Sequence, residues 1–484
     1  MSLSGALASA VSGLTAASRG AGVVAANVAN AQTDGYGRRG LELASAADGG
    51  QGVRIVSVER HVDKALLDDL RQSSGALAEH ATQAGFLDRL AEAQGLAGDG
   101  TSLSDALSEL EGSLVEASSR PESDGRLTAV VSAADELVEK IGRISKTIQS
   151  ERARADAAIA ADVETLNSAL QRLDELNGDI ARYKGDRDLA VGLLDERQRL
   201  VDQVAQIVPV REFPRSNDQI ALITTGGALL LDGTAAEIGF TASPVVTPYQ
   251  TYSASTLSGL TFNGQPVDLN RSNHGLSGGR LAGNLAIRDT LGVAAQADLD
   301  AFSRDLIERF ASPTADPTLT PGDAGLFTDA GFALNPVNET GLSARLALNT
   351  LVDPDGSAET WRIRDGLGAA APGDVGQAAG LILLGNALTD TRTVMSGSMA
   401  GRVLSAPDLL FESLAHADQQ LARVETRQSN VMARTDALTL KLQRDGVDTD
   451  QEMQRLLMIE QAYAANAQVI QSVETMLDRL MEAI

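Results

Sequence analysis

Two stretches of the 484-residue chain carry spacings that enzymes use. Gly275-Leu276-Ser277-Gly278-Gly279 fits G-x-S-x-G, with His274 beside it. A nucleophile elbow needs a strand-to-helix turn and an acid and a His brought from elsewhere. The other candidate, His416, falls in a helix-patterned stretch, and no HGGG-type loop is present. The segment therefore reads as a glycine-rich connection. Gly20-Ala21-Gly22-Val23-Val24-Ala25 fits the dinucleotide fingerprint, but that motif needs a preceding strand to aim the turn at a pyrophosphate. A helical pattern precedes it here, so these read as glycines inside a helix.

Metal chemistry fares no better. Asp448, Asp450 and Glu452 lack the glycine and final bidentate Glu of a Ca²⁺ loop, and read as acids offsetting the positive end of a helix. Asp195-Glu196-Arg197 reads as helix-surface charge, or as ion pairing that orients a neighbouring loop. No two of His61, His80, His274 and His416 stand at metal-ligand spacing, and there is no Cys. No catalytic centre, cofactor or metal is expected.

Composition points to the same class. The net charge of −25 repels phosphate backbones and anionic lipid, so neither nucleic-acid binding nor membrane insertion is expected. Apolar residues make up 43% but aromatics only 3%, which favours slender helical packing over a broad enzyme core. No run of about 18 apolar residues exists to span a bilayer. Residues 1–18 carry no charge and contain Ala8-Ser9-Ala10, yet no Lys or Arg precedes them and Ser and Gly interrupt them, so an uncleaved N-terminus is expected.

The strongest periodicity lies at the two ends. Leu3, Leu7, Ala10, Leu14, Ala17, Ala21, Val24 and Val28 alternate steps of four and three, a coiled-coil seam in which half the members are small. Gly13, Gly20 and Gly22 each weaken that helix by about 1 kcal/mol, so it should form on meeting a partner. Leu456, Ile459, Tyr463, Asn466, Ile470, Val473, Leu477, Leu480 and Ile484 form a second seam, in which Asn466 is the one polar member, suited to fixing register. Thr449-Asp450-Gln451-Glu452 supplies a capping-box start for it. The two stripes should pair with each other, with copies of themselves, or both.

Residues 122–182 keep a heptad seam with a stutter at Ala155, Ile159 and Val163, where a supercoil locally unwinds. At about 1.5 Å per residue this helix is on the order of 90 Å long. Shorter helices are predicted at 60–95, 102–118, 191–206, 284–311, 374–392 and 406–443. From Ile207 to about Asp268 the pattern turns β-branched and broken, with an Asn263-Gly264 hairpin turn, and 313–370 is rich in Pro and Gly with a few strands. The predicted fold is mainly α with an inserted β-rich domain: long coiled-coil-like helices from both termini form an inner helical rod, with a small β domain outside. The predicted division is 1–58 with 447–484 as an inner terminal-helix domain, 59–206 with 284–311 and 374–446 as a helical bundle, and 207–283 with 312–373 as the outer β-rich domain.

The ends also carry recognisable blocks. Ser12-Gly13-Leu14, then Asn27-Val28-Ala29-Asn30, Thr33, Gly35-Tyr36 and Arg38 resemble the A-N-x-x-T-x-G-Y-x-R signature of bacterial flagellar axial proteins. Gln461-Ala462-Tyr463-Ala464-Ala465-Asn466-Ala467 with Val469-Ile470-Gln471 resembles their Q-x-Y-x-A-N-A-x-V-I ending. Inside, Leu176-Asn177 and Ile180 followed by Leu193-Leu194-Asp195-Glu196-Arg197 are similar to the L-N-x-x-I and L-L-D-x-R pattern of the flagellar hook-associated protein 1 (FlgK) family. Gly279-Arg280-Leu281 with Arg288-Asp289, and Arg120-Pro121 with Arg126, resemble further blocks of that family. Ala26 departs from the family's usual Asn, and the short 312–373 stretch implies that a second outer domain is absent or reduced.

The resemblance implies a structural protein of the bacterial flagellum, forming the first junction zone between hook and filament. It implies export through the type III pathway without a cleaved signal peptide, an extracellular location, and terminal helices lining the central channel. The implied partners are further copies in a helical ring, the hook protein, a second junction protein of the FlgL type, and an FlgN-type export chaperone at the C-terminus. A hook or distal-rod subunit is the alternative, because such proteins share both terminal blocks. A hydrolase using Ser277 is the competing class.

Overall fold

The computed structural model describes residues 3–33, 35–46, 52–96, 98–183, 187–271 and 274–482, the side chains of 187–189 excepted. Ile484, the last predicted seam residue, lies outside them.

The chain opens with helix α1, Leu3–Ala29, and turns into an antiparallel hairpin of β1, Arg38–Ser45, and β2, Val53–His61, bulged after Glu42. Helix α2, Lys64–Gln94, starts at Asp63, whose carboxylate accepts from the Leu66 N–H. Helix α3, Leu103–Ser119, starts in a capping box in which Ser102 and Asp105 satisfy each other's backbone N–H. Helix α4, Asp124–Arg182, runs unbroken for 59 residues, and α5, Arg187–Ile207, packs on its C-terminal half. Two three-stranded antiparallel sheets follow: β3, Val210–Pro214, with β4, Ile220–Thr224, and β5, Leu229–Leu231; then β6, Ile238–Gly239, with β7, Thr261–Phe262, and β8, Gln265–Pro266. Asn263 and Gly264 have φ of 49° and 76°, as the predicted hairpin turn requires.

Helix α6, Gly279–Ala286, passes through a single π-turn, Ile287–Leu291, into α7, Gly292–Phe310. Strands β9, Phe327–Asp329, and β10, Leu346–Leu348, pair with each other. Then come α8, Arg362–Asp365, α9, Ala379–Thr389, and the short pair β11, Arg392–Thr393, and β12, Val403–Leu404. Helices α10, Ala406–Arg444, and α11, Thr449–Glu482, complete the chain. The fold is thus mainly α with small antiparallel sheets.

Two apolar cores are strung along α4. Leu127, Val131, Leu137, Ile141 and Ile148 serve the first, with α3, α7, α9 and the start of α10. Ile159, Leu166, Leu170 and Leu173 serve the second, with α5, α6 and the β3–β5 sheet. The two β-rich stretches do not share a sheet or a core. Residues 207–283 sit on the second core, whereas Phe327, Leu346, Leu348 and Ile363 sit on the first, where Phe327 meets Phe310 edge-on at 5.0 Å. Most of 312–373 is turns, because its Pro and Gly leave runs of only three extended residues. The hairpin of β1 and β2 has no counterpart in the predicted elements. Its sequence alternates charge and apolar side chains, and the alternation is masked by Gly40 and the bulge.

Candidate assembly interface and the joint beneath it

Helices α1 and α11 pack antiparallel, in contacts that repeat every seven residues along both. Asn27 hydrogen-bonds Glu452, Gly20 lies under Ile459, Gly13 lies under Asn466, and Ala6 lines one shallow cavity with Val473. A Cβ on Gly20 would stand 3.1 Å from Ile459 Cδ1, and one on Gly13 would stand 2.8 Å from Asn466 Nδ2. The buried face of α1 is therefore Ala10, Ala16, Ala17, Gly20, Val24 and Asn27. Of the predicted seam, Ala10, Ala17 and Val24 are buried; Leu3, Leu7, Leu14 and Ala21 are half-buried at its flanks; and Val28 is exposed. The predicted positions 14, 21 and 28 thus give way to 13, 20 and 27. Close approach wins over side-chain size, because the absent Cβ lets the larger α11 residues sit on the α1 backbone.

The α11 stripe divides into two rows. Ile459, Asn466 and Val473 meet α1, and Val473 is only 5% exposed. Leu456 and Ile470 are half-buried, while Tyr463, Leu477 and Leu480 are exposed at 44%, 43% and 50%. Met453, Leu457, Met476 and Met481 add to this uncovered apolar surface. The Asn466 side chain donates back to the Ala462 carbonyl at 2.9 Å, so its contact with Gly13 is one of packing.

The terminal signature builds a joint between this helix pair and the body. Asn27 is fully buried; its Oδ1 accepts from the Arg39 N–H (2.9 Å) and the Tyr36 hydroxyl (2.8 Å), and its Nδ2 donates to the Arg39 carbonyl (2.9 Å) and to Glu452 Oε2 (3.1 Å). Asn30 Nδ2 donates to the Ala26 carbonyl and its backbone carbonyl accepts from Thr33, which closes α1 into the turn. Gly35 has φ of 76°, and a Cβ there would lie 2.5 Å from Arg199 Cγ, so only glycine fits. Burial pushes the Tyr36 hydroxyl above the ordinary tyrosine range; Arg39, whose guanidinium lies 4.9 Å from the ring centre, opposes this, and Asp195 and Glu452 reinforce it.

Asp195 on α5 is the body's half of the joint. It accepts from the Gly37 N–H (3.1 Å), Arg39 Nη2 (3.0 Å) and Arg60 Nε (2.7 Å), so it does orient a neighbouring loop. Arg197 points the other way, donating to the Asp218 carbonyl at 2.6 Å beside Asn177, which itself clamps both backbone groups of Ile220. Leu194 lines a cavity between β2, α2 and α5, together with Arg60 and Arg71. Sequence reasoning missed Arg39 and Arg60, and read Glu452 only as an acid at a helix start. Glu452 is not a capping-box partner: Asp448 caps α11 by accepting from Asp450 and Gln451, and the Glu452 carboxylate, 1% exposed, takes Arg38 Nε (3.0 Å), Arg455 Nη1 (3.1 Å) and Asn27. Its place one turn into a helix opposite a buried Asn was the available signal.

The glycines of the two enzyme-like stretches serve the backbone. Gly20 and Gly22 lie inside α1. Ser277 precedes Gly278 and Gly279, whose φ of 86° and 73° turn the chain into α6, and a Cβ on Gly279 would lie 2.2 Å from the Ile207 carbonyl. Among the described residues no group of His, Asp and Glu could hold a metal ion, and no helix is long and apolar enough to cross a membrane.

Residues 442–483 match the family model for the flagellar basal body rod FlgEFG protein C-terminal, and so fall on the helix that carries the uncovered stripe. Residues 93–325 match the model for the flagellar hook-associated protein FlgK helical domain, which spans both α4 cores. Paired terminal helices tied to a helical body by these matches define a flagellar axial-type protein. Curated relatives narrow the class. Flagellar hook-associated protein 1 of Salmonella typhimurium is 27% identical over 329 residues, 61% of this chain and 55% of that protein, so the chain spans about half the length of this relative. The Escherichia coli protein of that name is 24% identical over 98% of both chains, and the Bacillus subtilis one 26% identical over 43% of each. The structure of the flagellar hook junction protein FlgK from Burkholderia pseudomallei aligns with 56% of this chain and 47% of its own, at 18% identity and a TM-score of 0.43. This chain is thus similar to the FlgK family of flagellar hook-associated proteins, whose helical-domain model matches nearly half of it.

Proposed function

We propose that the protein is a structural subunit of the bacterial flagellum that forms the first junction zone between hook and filament. The observation that carries the reading is the row that α1 leaves wholly or partly uncovered on α11, exposed at Tyr463, Leu477 and Leu480 and half-buried at Leu456 and Ile470, within the stretch that matches the basal body rod FlgEFG C-terminal model. Such a row on a soluble subunit needs a second helix to cover it. A neighbouring copy does so in a helical array, where one surface meets a different surface on the next subunit and the contact propagates. Residues 1–58 with 447–484 then form the inner, channel-lining layer. Residues 59–206, 284–311 and 374–446 form the surrounding bundle, and 207–283 with 312–373 face outward.

Its neighbours in this reading are its own copies, the hook protein and an FlgL-type second junction protein. An FlgN-type chaperone covers α11 before type III export to the cell exterior. No catalysis is assigned. Electron microscopy of cells lacking the gene, with flagellin assayed in the medium, tests the reading. Complete hooks without filaments and flagellin lost to the medium support it. Absent hooks would move the protein to the hook or distal rod, and normal filaments would overturn the reading.

A further inference from the structure

The two apolar cores on α4 do not touch. Between Ile148 and Ile159 the buried face of that helix keeps one apolar side chain, Ala155 of the first core, and is otherwise charged: Glu151 and Asp156 are nearly inaccessible and Arg152 wholly so. Across from them, Arg288 is equally buried in the π-turn. Arg288 Nη1 donates to Asp156 Oδ1 at 2.8 Å, while its Nε and Nη2 grip the two Asp289 oxygens at 2.8 and 2.7 Å. Arg152 donates to the Arg288, Thr247 and Gln250 carbonyls at 2.9, 3.1 and 2.6 Å. Asp156 Oδ2 accepts from the Ser243 N–H at 2.6 Å. On the second-core side of this layer Asp162 takes Arg280 and Asn284, and on the first-core side Glu151 takes Arg89.

A π-turn leaves a helical carbonyl without its usual partner, and here Arg152 takes the carbonyl of Arg288. The approach needs Gly292, where a Cβ would lie 2.6 Å from Arg152 Cγ. Every charged group in the layer has hydrogen-bond partners, Arg152 through neutral carbonyl oxygens alone, so the layer fixes how the halves meet. Apart from Ala155 and Ile287, which belong to the first core, it lacks the continuous apolar burial that makes neighbouring elements unfold as one, and satisfied buried ion pairs add little net stability. The stutter of the heptad pattern, Ala155 to Ile159 to Val163, falls on the same turns.

We propose that the charged layer at Arg152, Asp156 and Arg288 divides the body into two units that open independently, and so gives the subunit a compliant joint halfway along its longest helix. The first unit comprises α3, the N-terminal half of α4, α7 and the elements packed on them. The second comprises the C-terminal half of α4, α5, α6 and the β3–β8 sheets. Opening in one need not melt the other, because α4 continues through the layer on its own backbone hydrogen bonds.

Native-state hydrogen exchange on the full chain across a urea series, read by mass spectrometry, tests this. Leu170→Ala empties part of the second core and Leu110→Ala part of the first; both side chains are fully buried. Leu170→Ala is expected to lower protection on the order of a hundredfold in 163–180 and 201–208 while 103–119 and 127–148 stay within twofold. Leu110→Ala is expected to do the reverse, with the step along α4 between Ile148 and Ile159. Val204→Ala and Val131→Ala are the milder pair if either large truncation prevents folding. Equal loss of protection in both halves from either substitution, or a step elsewhere on α4, overturns the proposal.

Discussion

Arg38 and Arg39 are neighbours in β1 whose side chains bind carboxylates on different bodies of the molecule. Arg38 reaches Glu452 on the C-terminal helix at 3.0 Å, and Arg39 reaches Asp195 on α5 at 3.0 Å. The alternation of a strand sends successive side chains to opposite faces, so two residues suffice to tie the terminal pair to the body. Asn27 completes the tie by holding the Arg39 backbone on one side and Glu452 on the other.

Removing Glu452 should release the C-terminal helix without unfolding the body. Glu452→Ala takes the acceptor from Arg38, Arg455 and Asn27. The Arg38 and Arg455 side chains are already 21% and 45% exposed, so they can turn to water and the loss falls to about 2 kcal/mol, below that of a fully buried pair. Limited proteolysis reads this: cleavage within α1 and α11 appears early while 64–444 stays resistant. Glu452→Gln, which keeps one acceptor oxygen, should fall between. Unchanged cleavage kinetics in both variants would show that the helix pair holds without the joint.

The α1 glycines should respond in opposite directions. Gly22 has nothing within 4 Å of a built Cβ, so Gly22→Ala gains helix propensity of about 1 kcal/mol at no steric cost. Gly13→Val drives two methyls into the Asn466 side chain and should separate the helices at that level. Hydrogen exchange of α1 amides distinguishes them, slower than wild type for Gly22→Ala and faster for Gly13→Val. Equal slowing in both would mean that α1 does not lie against α11 at Gly13.

Charges placed on the uncovered row test assembly apart from folding. Leu477→Asp and Ile470→Asp put a carboxylate where a neighbouring helix would have to desolvate it, at a cost of several kcal/mol if unpaired. Leu477 is 43% exposed in the single chain, so the body, residues 60–440, should fold normally, and incorporation into flagella should fail. Normal incorporation of both variants would show that this row is not a subunit contact.

Much of this architecture is legible in the residues. The heptads of α4 and α11 give both helices nearly to their ends, and Asn263-Gly264 gives its turn. The α1 seam is legible only in part. A pattern of apolar types selects Leu14, Ala21 and Val28, whereas packing selects Gly13, Gly20 and Asn27, which have either no side chain or a polar one. The joint is the least legible feature, because Asp195 and Glu452 are 257 positions apart and only the fold gives them Arg39 and Arg38 as neighbours in one strand. The terminal signature marks one side of that joint and the Leu194–Arg197 block the other, but periodicity carries no sign of either.

Asp300 makes stability depend on pH in a direction that can be checked. Its carboxylate is buried on α7 and accepts from the Gly341 N–H (2.7 Å), the Ser343 N–H and hydroxyl (2.9 and 2.6 Å) and Gln296 Nε2 (2.8 Å). Burial nonetheless raises its pKa above the ordinary 3.8, outweighing those donors. The folded state then binds the proton more tightly than the unfolded chain. The group's contribution is fully present below 3.8 and is lost as pH rises through the folded value. Asp300→Asn removes the titration and turns an amide N–H₂ toward the Ser343 donors, a loss of about 1–3 kcal/mol. Urea unfolding of both proteins at several pH values should therefore show the gap between wild type and Asp300→Asn widest near pH 4 and narrower at pH 7. A gap that is constant, or that widens toward pH 7, would mean that the hydrogen bonds to the charged form outweigh its burial.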